Sequence, residues 1–359
     1  IGDRGGRKAI LVWTITIMGL ASSLIGLLPT YASVGLAAPA ALVFLRIVQG
    51  AGAGVEMASS SVLLGETASS ANRGLISALV GIGTNGGTLI AALVWLPVSI
   101  LPREDFLNWG WRIPFLVSFL IALAGLWMRR NVSESKTWLE NAGQQRKLTI
   151  GANYAHLLAH SKRAIIGCIA TRWGENGIST IFLVFFIGQL RNIAPNNPGL
   201  GAFTVIVTAI IALAVVPIAG WCSDRFGRRP TFAFLSILQF VSALPALWMI
   251  MTGSTWLVVL AFTLCYSIGV MGMYAVQSAW MVELFGSKSR LAAVSASKEI
   301  GALSSGGIAP MICAVLIGSF GSLWAIGGYV MLLAFVSVCA AFYLPETKGR
   351  DLVTDQDAM

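Results

Sequence analysis

The sequence is poor in charged residues and in the residues that usually bind metals. Asp, Glu, Lys and Arg make up 11% of the 359 residues, and there are 2 histidines and 5 cysteines. The cysteines form no Cys-x-x-Cys pair and lie within or beside apolar runs, so we expect inert side chains rather than disulfides or metal ligands. His156 and His160 have metal-ligand spacing, but without a third ligand nearby they indicate a solvated segment.

Two further absences exclude classes of activity. The sequence has no Walker-type glycine-rich loop ending in Lys-Ser or Lys-Thr, so ATP is not the energy source of this chain. It has no Ser-His-Asp arrangement and no metal-ligand group that would indicate hydrolysis. We therefore expect no enzyme activity and no cofactor.

Apolar residues, in contrast, are abundant. Hydrophobic residues make up 56% of the sequence, and 39 residues are glycine. A soluble domain of this size could not bury so much apolar surface, so most of the chain is expected to lie in lipid. The net charge of +9 is confined to short clusters between the apolar runs. This pattern indicates membrane topology and argues against a nucleic-acid partner.

About ten apolar runs are long enough to cross a bilayer as helices, which predicts an all-α integral membrane protein. The segments between them are short, except for 131–163, a polar stretch that we interpret as a central linker between two halves. The predicted spans are 9–28, 39–64, 74–100, 113–128, 164–190, 201–222, 231–251, 256–282, 291–317 and 323–344.

Charged loops recur at about half the chain length, which indicates an internal duplication. An Asp, a glycine turn and paired cations occupy 3–8 and again 224–229, 221 residues later (224 − 3). A Glu and an Arg occupy 66 and 73 and again 283 and 290, 217 residues later (283 − 66). Membrane transporters built from two parallel six-helix halves combine these features.

These repeated loops are predicted to act as gates. Each Asp would hold a neighbouring helix end, and each arginine of the second motif would pair with the glutamate of its own loop. The predicted gate residues are Asp3, Arg4, Arg7, Glu66, Arg73, Asp224, Arg225, Arg228, Glu283 and Arg290.

The distribution of Lys and Arg predicts the orientation. Loops on the side of 3–8 carry eighteen of them, and the opposite loops carry three, namely Arg103, Arg112 and Arg191. Because positively charged loops remain in the cytoplasm, we expect the repeated loops, the linker and the C-terminus on the cytoplasmic side.

Ionisable residues inside apolar runs are costly, so each is a candidate functional residue. Arg46, Gln49 and Glu56 lie within about 80° of one another on a helix that turns 100° per residue, and they form one polar stripe. Glu56 is the candidate for a protonatable carboxylate on a transport pathway, with Arg46 as its ion-pair partner. Arg46 and Gln49 are also candidate substrate contacts. The alternative is a buried polar network that only fixes helix packing.

A second polar face lies on the fifth span. Arg172, Glu175 and Asn176 have i, i+3, i+4 spacing and share one side of a helix. The guanidinium of Arg172 could hold a substrate carboxylate in a bidentate manner, with Asn176 beside it. Glu175 could neutralise the arginine in the empty site or exchange a proton. The alternative is an ion pair that only fixes the start of this helix.

Two weaker candidates follow. Tyr274 and Gln277 lie on one face of the eighth span, where they could contact substrate or form an ordinary hydrogen-bonded seam between helices. Lys298 and Glu299 open the ninth span but point about 100° apart on a helix. A position at the membrane interface accounts for both of them.

Several motifs resemble those of the major facilitator superfamily, and more narrowly of its metabolite:proton symporters. The repeated Asp-Arg-x-Gly-Arg-Arg/Lys loops look like the superfamily hallmark. Lys298-Glu299 departs from the Tyr-Gln or Tyr-Asn pair that is usual in the family. Motifs similar to those of the symporters are Arg46-x-x-Gln49-Gly50 with Glu56, Trp109–Phe115, Arg172–Asn176 and Leu344–Asp351.

This resemblance implies two six-helix bundles that alternate access to a central site and are driven by proton entry. The family's substrates are organic acids and zwitterions such as shikimate, α-ketoglutarate, proline and betaine. Since the second half has six spans and the first only four, two helices are expected to be missing before Ile1, leaving ten of twelve. The expected parts are an N-terminal bundle 1–130, the linker 131–163, a C-terminal bundle 164–344 and a tail 345–359.

Other interpretations of the function stay open. The Pro-Glu-Thr-Lys-Gly motif after the last span also occurs in sugar porters, so a sugar or polyol carrier is the alternative within transporters. A non-transporting membrane sensor and an inactive truncated fragment are alternatives of another class. In the leading reading the protein is a monomer in the cytoplasmic membrane whose partners are a small substrate, protons and lipid.

Overall fold

A computed structural model describes residues 7–130, 161–287, 290–352 and 356–358, with every side chain in those ranges except 7–11, 55 and 128–130. No strand occurs among these residues, so the all-α prediction holds for the described part of the chain. The helices are separated by short connections, which is the pattern of a helical bundle.

Ten long helices account for nearly all of this structure. Each coincides with one of the predicted apolar runs. They are α1 (Arg7–Gly26), α2 (Ala37–Thr67), α3 (Arg73–Ser99), α4 (Ile113–Arg130), α5 (segments Lys162–Arg172, Trp173–Gly177, Ile178–Thr180, Ile181–Phe186 and Ile187–Ile193), α6 (Leu200–Phe226), α7 (Arg228–Met251), α8 (Thr255–Leu284), α9 (Arg290–Phe320) and α10 (Trp324–Tyr343).

Eight of these helices are long and apolar enough to cross a membrane, so the expected count of ten is not confirmed. In α1, the part with described side chains forms a shorter apolar helix, Val12–Gly26. Helix α5 is long, but Arg172, Glu175 and Asn176 interrupt its apolar sequence.

Three helices contain π-helical segments, where one extra residue widens the turn. These segments are Trp173–Gly177 and Ile181–Phe186 in α5, Thr263–Val270 in α8 and Leu303–Gly307 in α9. Such turns re-aim side chains and are frequent at functional sites. The first of them directly follows Arg172 and contains Glu175.

The described residues form two compact units. Unit 1 holds the residues up to 59 and from 97 to 130. Within it α1 packs along α4, and Arg112 closes the end of α1 by donating from Nη1 to the carbonyl oxygens of Gly26 (3.0 Å) and Leu28 (2.6 Å). An arginine is suited to this place because helix C-termini expose unpaired carbonyl groups.

Unit 2 holds residues 60–96 and those from 161 onwards. Its core is built from large aromatic side chains, with Phe182 packed edge-on against Phe262 at 5.0 Å between ring centroids and against Phe186 at 5.3 Å. The boundaries of the two units differ from the sequence halves 1–130 and 164–344, which remain a prediction.

Helices α3 and α6 approach each other closely in unit 2 because a glycine lies at their contact. A Cβ added at Gly220 would lie 2.8 Å from the carbonyl oxygen of Gly74 and 3.1 Å from Cα of Leu75. These are backbone atoms, which cannot move aside as a flexible side chain could. Any side chain at position 220 would therefore push the two helices apart.

We expect Gly220→Ala to destabilise the protein by about 1–3 kcal/mol, the usual cost of overpacking. The matched control is Gly188→Ala in α5, because no atom lies within 4 Å of the added methyl there. Alanine is the better helix former, so the control should retain or raise the Tm of the purified protein in detergent. Equal Tm values for the two variants would contradict the close contact.

Candidate functional site

A buried ion pair lies in α5 at the start of its first π-helical segment. Arg172 is 5% exposed and Glu175 is 3% exposed. Nη1 of Arg172 donates to Oε2 of Glu175. The contact expected from their i, i+3 spacing is thus present, and burial makes it costly for either residue to lose its partner.

Neighbouring helices hold the backbone around this pair. Oγ of Ser337 in α10 donates to the carbonyl oxygen of Thr171 (3.1 Å) and accepts from the N–H of Gly174 (2.8 Å). These bonds satisfy backbone groups that the wide π turn displaces from the regular helical pattern. Nε of Arg172, however, has no hydrogen-bond partner among the described residues. The guanidinium therefore retains an unused donor.

Lys298 corrects the sequence interpretation. It was expected at the membrane interface, but it is 4% exposed and lies inside unit 2. Its Nζ donates to Oγ of Ser61 in α2 at 2.7 Å and lies 5.7 Å from the centroid of the Tyr274 ring. It is also close enough to Arg172 and Glu175 to interact with their charges. Glu299, in contrast, is exposed.

The polar residues of α8 are buried beside this group. Nε2 of Gln277 donates to the carbonyl oxygen of Thr171 at 2.9 Å, which is the interhelical seam that was weighed as the alternative. Its Oε1 and the hydroxyl of Tyr274 are buried without a partner among the described residues. Asn176 packs against the π-helical segment of α9, where a Cβ at Gly306 would collide with its amide oxygen. Their roles as substrate contacts remain predictions.

The polar stripe on α2 is partly different from the expectation. In unit 1, Nη1 of Arg46 donates to Oε1 of Gln49 at 3.0 Å, and Nε2 of Gln49 donates to Oγ of Ser22 at 2.6 Å. The expected Arg46–Glu56 ion pair is wrong, because ten residues of one helix span about 15 Å along its axis. Sharing a face does not bring two side chains within reach.

A second buried charged group surrounds Glu283, at the end of α8. Glu283 is 0% exposed. Its carboxylate accepts from Arg73 at 3.0 Å, from Arg228 at 3.0 and 3.1 Å, and from the hydroxyl of Thr347 at 2.6 Å. We call these four residues the Glu283 cluster. It joins the beginnings of α3 and α7, the end of α8 and the segment after α10.

The starts of two helices are capped by acidic side chains next to this cluster. Asp224 accepts from the backbone N–H groups of Gly74 (2.7 Å) and Leu75 (2.8 Å), at the beginning of α3. This is the contact predicted for Asp224, and the partial positive charge at a helix start stabilises it. Glu346 accepts from the N–H groups of Arg228 (2.9 Å) and Arg229 (3.0 Å), at the beginning of α7.

The paired loops exchange their partners, which corrects the expected pairing within each loop. Arg73 binds Glu283, and Nη1 of Arg290 binds Oε1 of Glu66 at 3.1 Å. Each arginine is held in its own loop by its Nε, which donates to the backbone oxygen of Gly65 or Val282, eight residues earlier in both cases. The two loops therefore bind each other in a reciprocal manner.

Among the other residues predicted to form the gate, Arg225 alone has a described side chain. Arg225 is exposed and stacks on Trp221 at 5.5 Å, without an ion pair among the described contacts. The first copy of the motif cannot be placed: Asp3 and Arg4 lie outside the described residues, and Arg7 begins α1 without a described side chain. His156 and His160 also lie outside them.

Sequence reasoning missed that the segment after α10 binds two of the loop arginines. The carbonyl oxygens of Arg350 and Leu352 accept from Arg73 (2.8 Å) and Arg290 (2.7 Å). Partial burial lowers the pKa of Arg350 below the usual value for arginine, and the nearby carboxylates of Asp357 and Glu283 oppose this shift without cancelling it. The cluster of charges directly after the last apolar run was the available signal.

A family model and several relatives match this sequence. A family model described as Major Facilitator Superfamily matches residues 1–290 and again 164–356. The chain is 35% identical to a putative transporter, YdfJ, of Escherichia coli (strain K12), over 100% of this chain and 84% of that protein. It is 29% identical to the shikimate transporter of the same strain, over 97% and 80%, and 28% identical to the proline/betaine transporter of Salmonella typhimurium, over 98% and 72%.

Among solved structures, the chain resembles the proton:xylose symporter XylE bound to 6-bromo-6-deoxy-D-glucose. The TM-score is 0.73 at 19% identity, over 98% of this chain and 83% of that one. At this identity the likeness concerns the fold alone.

Removing the central carboxylate of the Glu283 cluster should destabilise the protein strongly. Glu283→Gln removes the counter-charge of the buried Arg73 and leaves Arg228 with Asp224 alone, and breaking a buried pair from one side costs about 3–5 kcal/mol. Glu66→Gln is the matched control, because the Glu66 side chain is 20% exposed and its partner Arg290 keeps the backbone oxygens of Val282 and Leu352 as acceptors. Thermal unfolding in detergent should show a much larger fall in Tm for Glu283→Gln. Equal falls would mean that burial does not determine the cost.

Proposed function

The chain belongs to the Major Facilitator Superfamily, and from this premise we propose that it is a secondary active transporter that couples proton entry to the uptake of a small organic acid or zwitterion. The fold class and the family are those of membrane transporters of metabolites. The observation that carries the finer proposal is the buried Arg172–Glu175 pair with its hydrogen-bonding surroundings.

Arg172 is the proposed contact for a substrate carboxylate. A buried guanidinium needs a fixed anionic partner, and Glu175 provides it in the present arrangement. A carboxylate of the substrate would compete for the same donors, including the unpaired Nε. The planar fork of the guanidinium suits such an exchange between two carboxylates. Gln277, Tyr274 and Asn176 are proposed to contact the rest of the substrate.

Glu175 is the proposed proton carrier of unit 2. When the substrate carboxylate displaces it from Arg172, its negative charge is left in a buried environment, where protonation is favoured. Binding of substrate and binding of a proton then support each other. In unit 1, Glu56 is a second candidate for proton coupling, and Arg46 and Gln49 are candidate substrate contacts.

The Glu283 cluster, the Asp224 cap and the Glu66–Arg290 pair are proposed to form a gate on the cytoplasmic side. Asp3, Arg4, Arg7 and Arg225 belong to the same proposed gate from their place in the repeated motif. Alternating access would require these contacts to break in one state and re-form in the other. The excess of Lys and Arg in these loops supports the cytoplasmic orientation. We also propose that the protein works as a monomer in the inner membrane.

Asp224→Asn tests the gate. Asparagine keeps one acceptor at the start of α3 but loses the charge, which also pairs with Arg228 at 2.7 Å. Arg228 keeps Glu283 as its counter-charge, so we expect the ratio of the two states to change at least fivefold, the effect of about 1 kcal/mol. We expect the initial uptake rate of a labelled substrate to change by a similar factor at unchanged protein abundance. Asp105→Asn, at an exposed position in Arg103–Asn108, is the matched control. An unchanged rate in Asp224→Asn would count against gating.

Glu175→Gln tests proton coupling. Glutamine resembles the protonated carboxyl in shape and cannot release a proton, so accumulation driven by an imposed pH gradient should be lost. Exchange of labelled for unlabelled substrate should continue, since it needs no net proton movement. Because Arg172 loses its buried counter-charge, both rates are expressed per amount of folded protein. Proteoliposomes with labelled succinate, shikimate and glycine betaine provide the measurement, with Glu104→Gln at an exposed position as control. Gradient-driven accumulation by Glu175→Gln would assign the coupling to another residue, with Glu56→Gln as the next variant.

A further inference from the structure

We propose that Lys298 is a substrate contact and that it restricts the transporter to small carboxylates of net negative charge. The inference rests on the proposed transport function and selects among its two substrate classes. Lys298 contributes a second buried cation beside the Arg172–Glu175 pair, at a position for which no role was expected from the sequence.

The charges of Arg172, Glu175 and Lys298 do not balance. Arg172 and Lys298 contribute two formal positive charges and Glu175 contributes one negative charge, which leaves an excess of +1. All three residues are at most 5% exposed. An uncompensated charge inside a membrane protein is costly and is usually retained for a function. One carboxylate from outside would neutralise the group while Glu175 is ionised. Once Glu175 is protonated, two cations remain to bind the carboxylates of the substrate.

Lys298 has hydrogen-bond donors that the described residues do not use. An ammonium group has three N–H donors. One is given to the neutral hydroxyl of Ser61, and the ring of Tyr274 lies at cation–π distance. Among the described residues, no carboxylate forms an ion pair with Lys298. Two donors therefore remain for a ligand.

Glu299 is the acidic residue nearest to Lys298 in the sequence. It is exposed, whereas Lys298 is buried. Adjacent residues point about 100° apart on a helix, so Glu299 acts on Lys298 only through its charge, from the exposed side of α9, and forms no ion pair with it. A carboxylate from a bound ligand is thus better placed than Glu299 to satisfy the ammonium group.

Other substrate classes fit this group less well. The cationic end of a zwitterion would lie near two positive charges, with a single carboxylate already bound to Arg172. An uncharged sugar would leave the excess charge uncompensated. The unpaired Oε1 of Gln277 and hydroxyl of Tyr274 could bind the hydroxyl groups of an acid, once its carboxylate is held by Lys298.

The test compares binding of four probes to the purified full chain in nanodiscs: succinate, shikimate, glycine betaine and D-xylose. The parent should bind at least one acid roughly tenfold or more tightly than glycine betaine. A hydrogen bond to a charged group contributes enough binding free energy to change Kd by about that factor. Lys298→Gln should reduce this ratio by a similar factor, and Lys298→Arg should keep the preference for acids. Lys162→Gln, at an exposed position of α5, is the matched loss of a lysine and should change nothing.

Selectivity separates a contact from a structural role, which would alter the affinity for all probes alike. If Lys298→Gln does not fold, Ser61→Ala retains the charge but frees the ammonium group, and it should weaken acid binding severalfold while glycine betaine is unaffected. An unchanged ratio in Lys298→Gln, or an equal loss for every probe in Ser61→Ala, would overturn the role of Lys298. Binding of glycine betaine without either acid would also overturn it and leave proton-coupled transport of a zwitterion standing. A parent that binds D-xylose alone, or no probe, would overturn the proposed function itself.

Discussion

A charge buried among apolar helices persists only when an opposite charge or several hydrogen bonds are fixed beside it. Glu283 shows how much structure follows from this constraint. Its one carboxylate is satisfied by Arg73, Arg228 and Thr347, which come from distant parts of the sequence. Meeting the needs of a single acid therefore positions the beginnings of α3 and α7, the end of α8 and the segment after α10.

The same constraint explains which parts of the fold the sequence predicts well. Helices that lie in lipid need long apolar runs, and such runs are visible in composition alone, so each predicted run coincides with a long helix. The contact between Arg172 and Glu175 was also predictable, because helical periodicity determines which near neighbours share a face. The number of membrane crossings stays a prediction, since α5 is long but Arg172, Glu175 and Asn176 interrupt its apolar sequence.

The partners of the charges were predicted less well, for two physical reasons. Periodicity gives the direction of a side chain around its helix but not the end of another helix that it meets, so the exchange between the Arg73 and Arg290 loops was missed. It also gives no depth, so Lys298 was assigned to the interface although Ser61 of another helix covers it. Arg46 and Glu56 show a third limit, because residues on one face can still be too far apart along the axis.

The Glu283 cluster and the Glu66–Arg290 pair are completed by residues that follow all ten long helices. Arg73, Arg228 and Arg290 lie before or within the C-terminal part of the chain, yet they need acceptors or neighbours from residues 346–352. During synthesis these residues leave the ribosome after all ten helices. The three arginines therefore stay without these backbone and carboxylate partners until then, and the helix ends that carry them can be joined only once translation of this segment is finished.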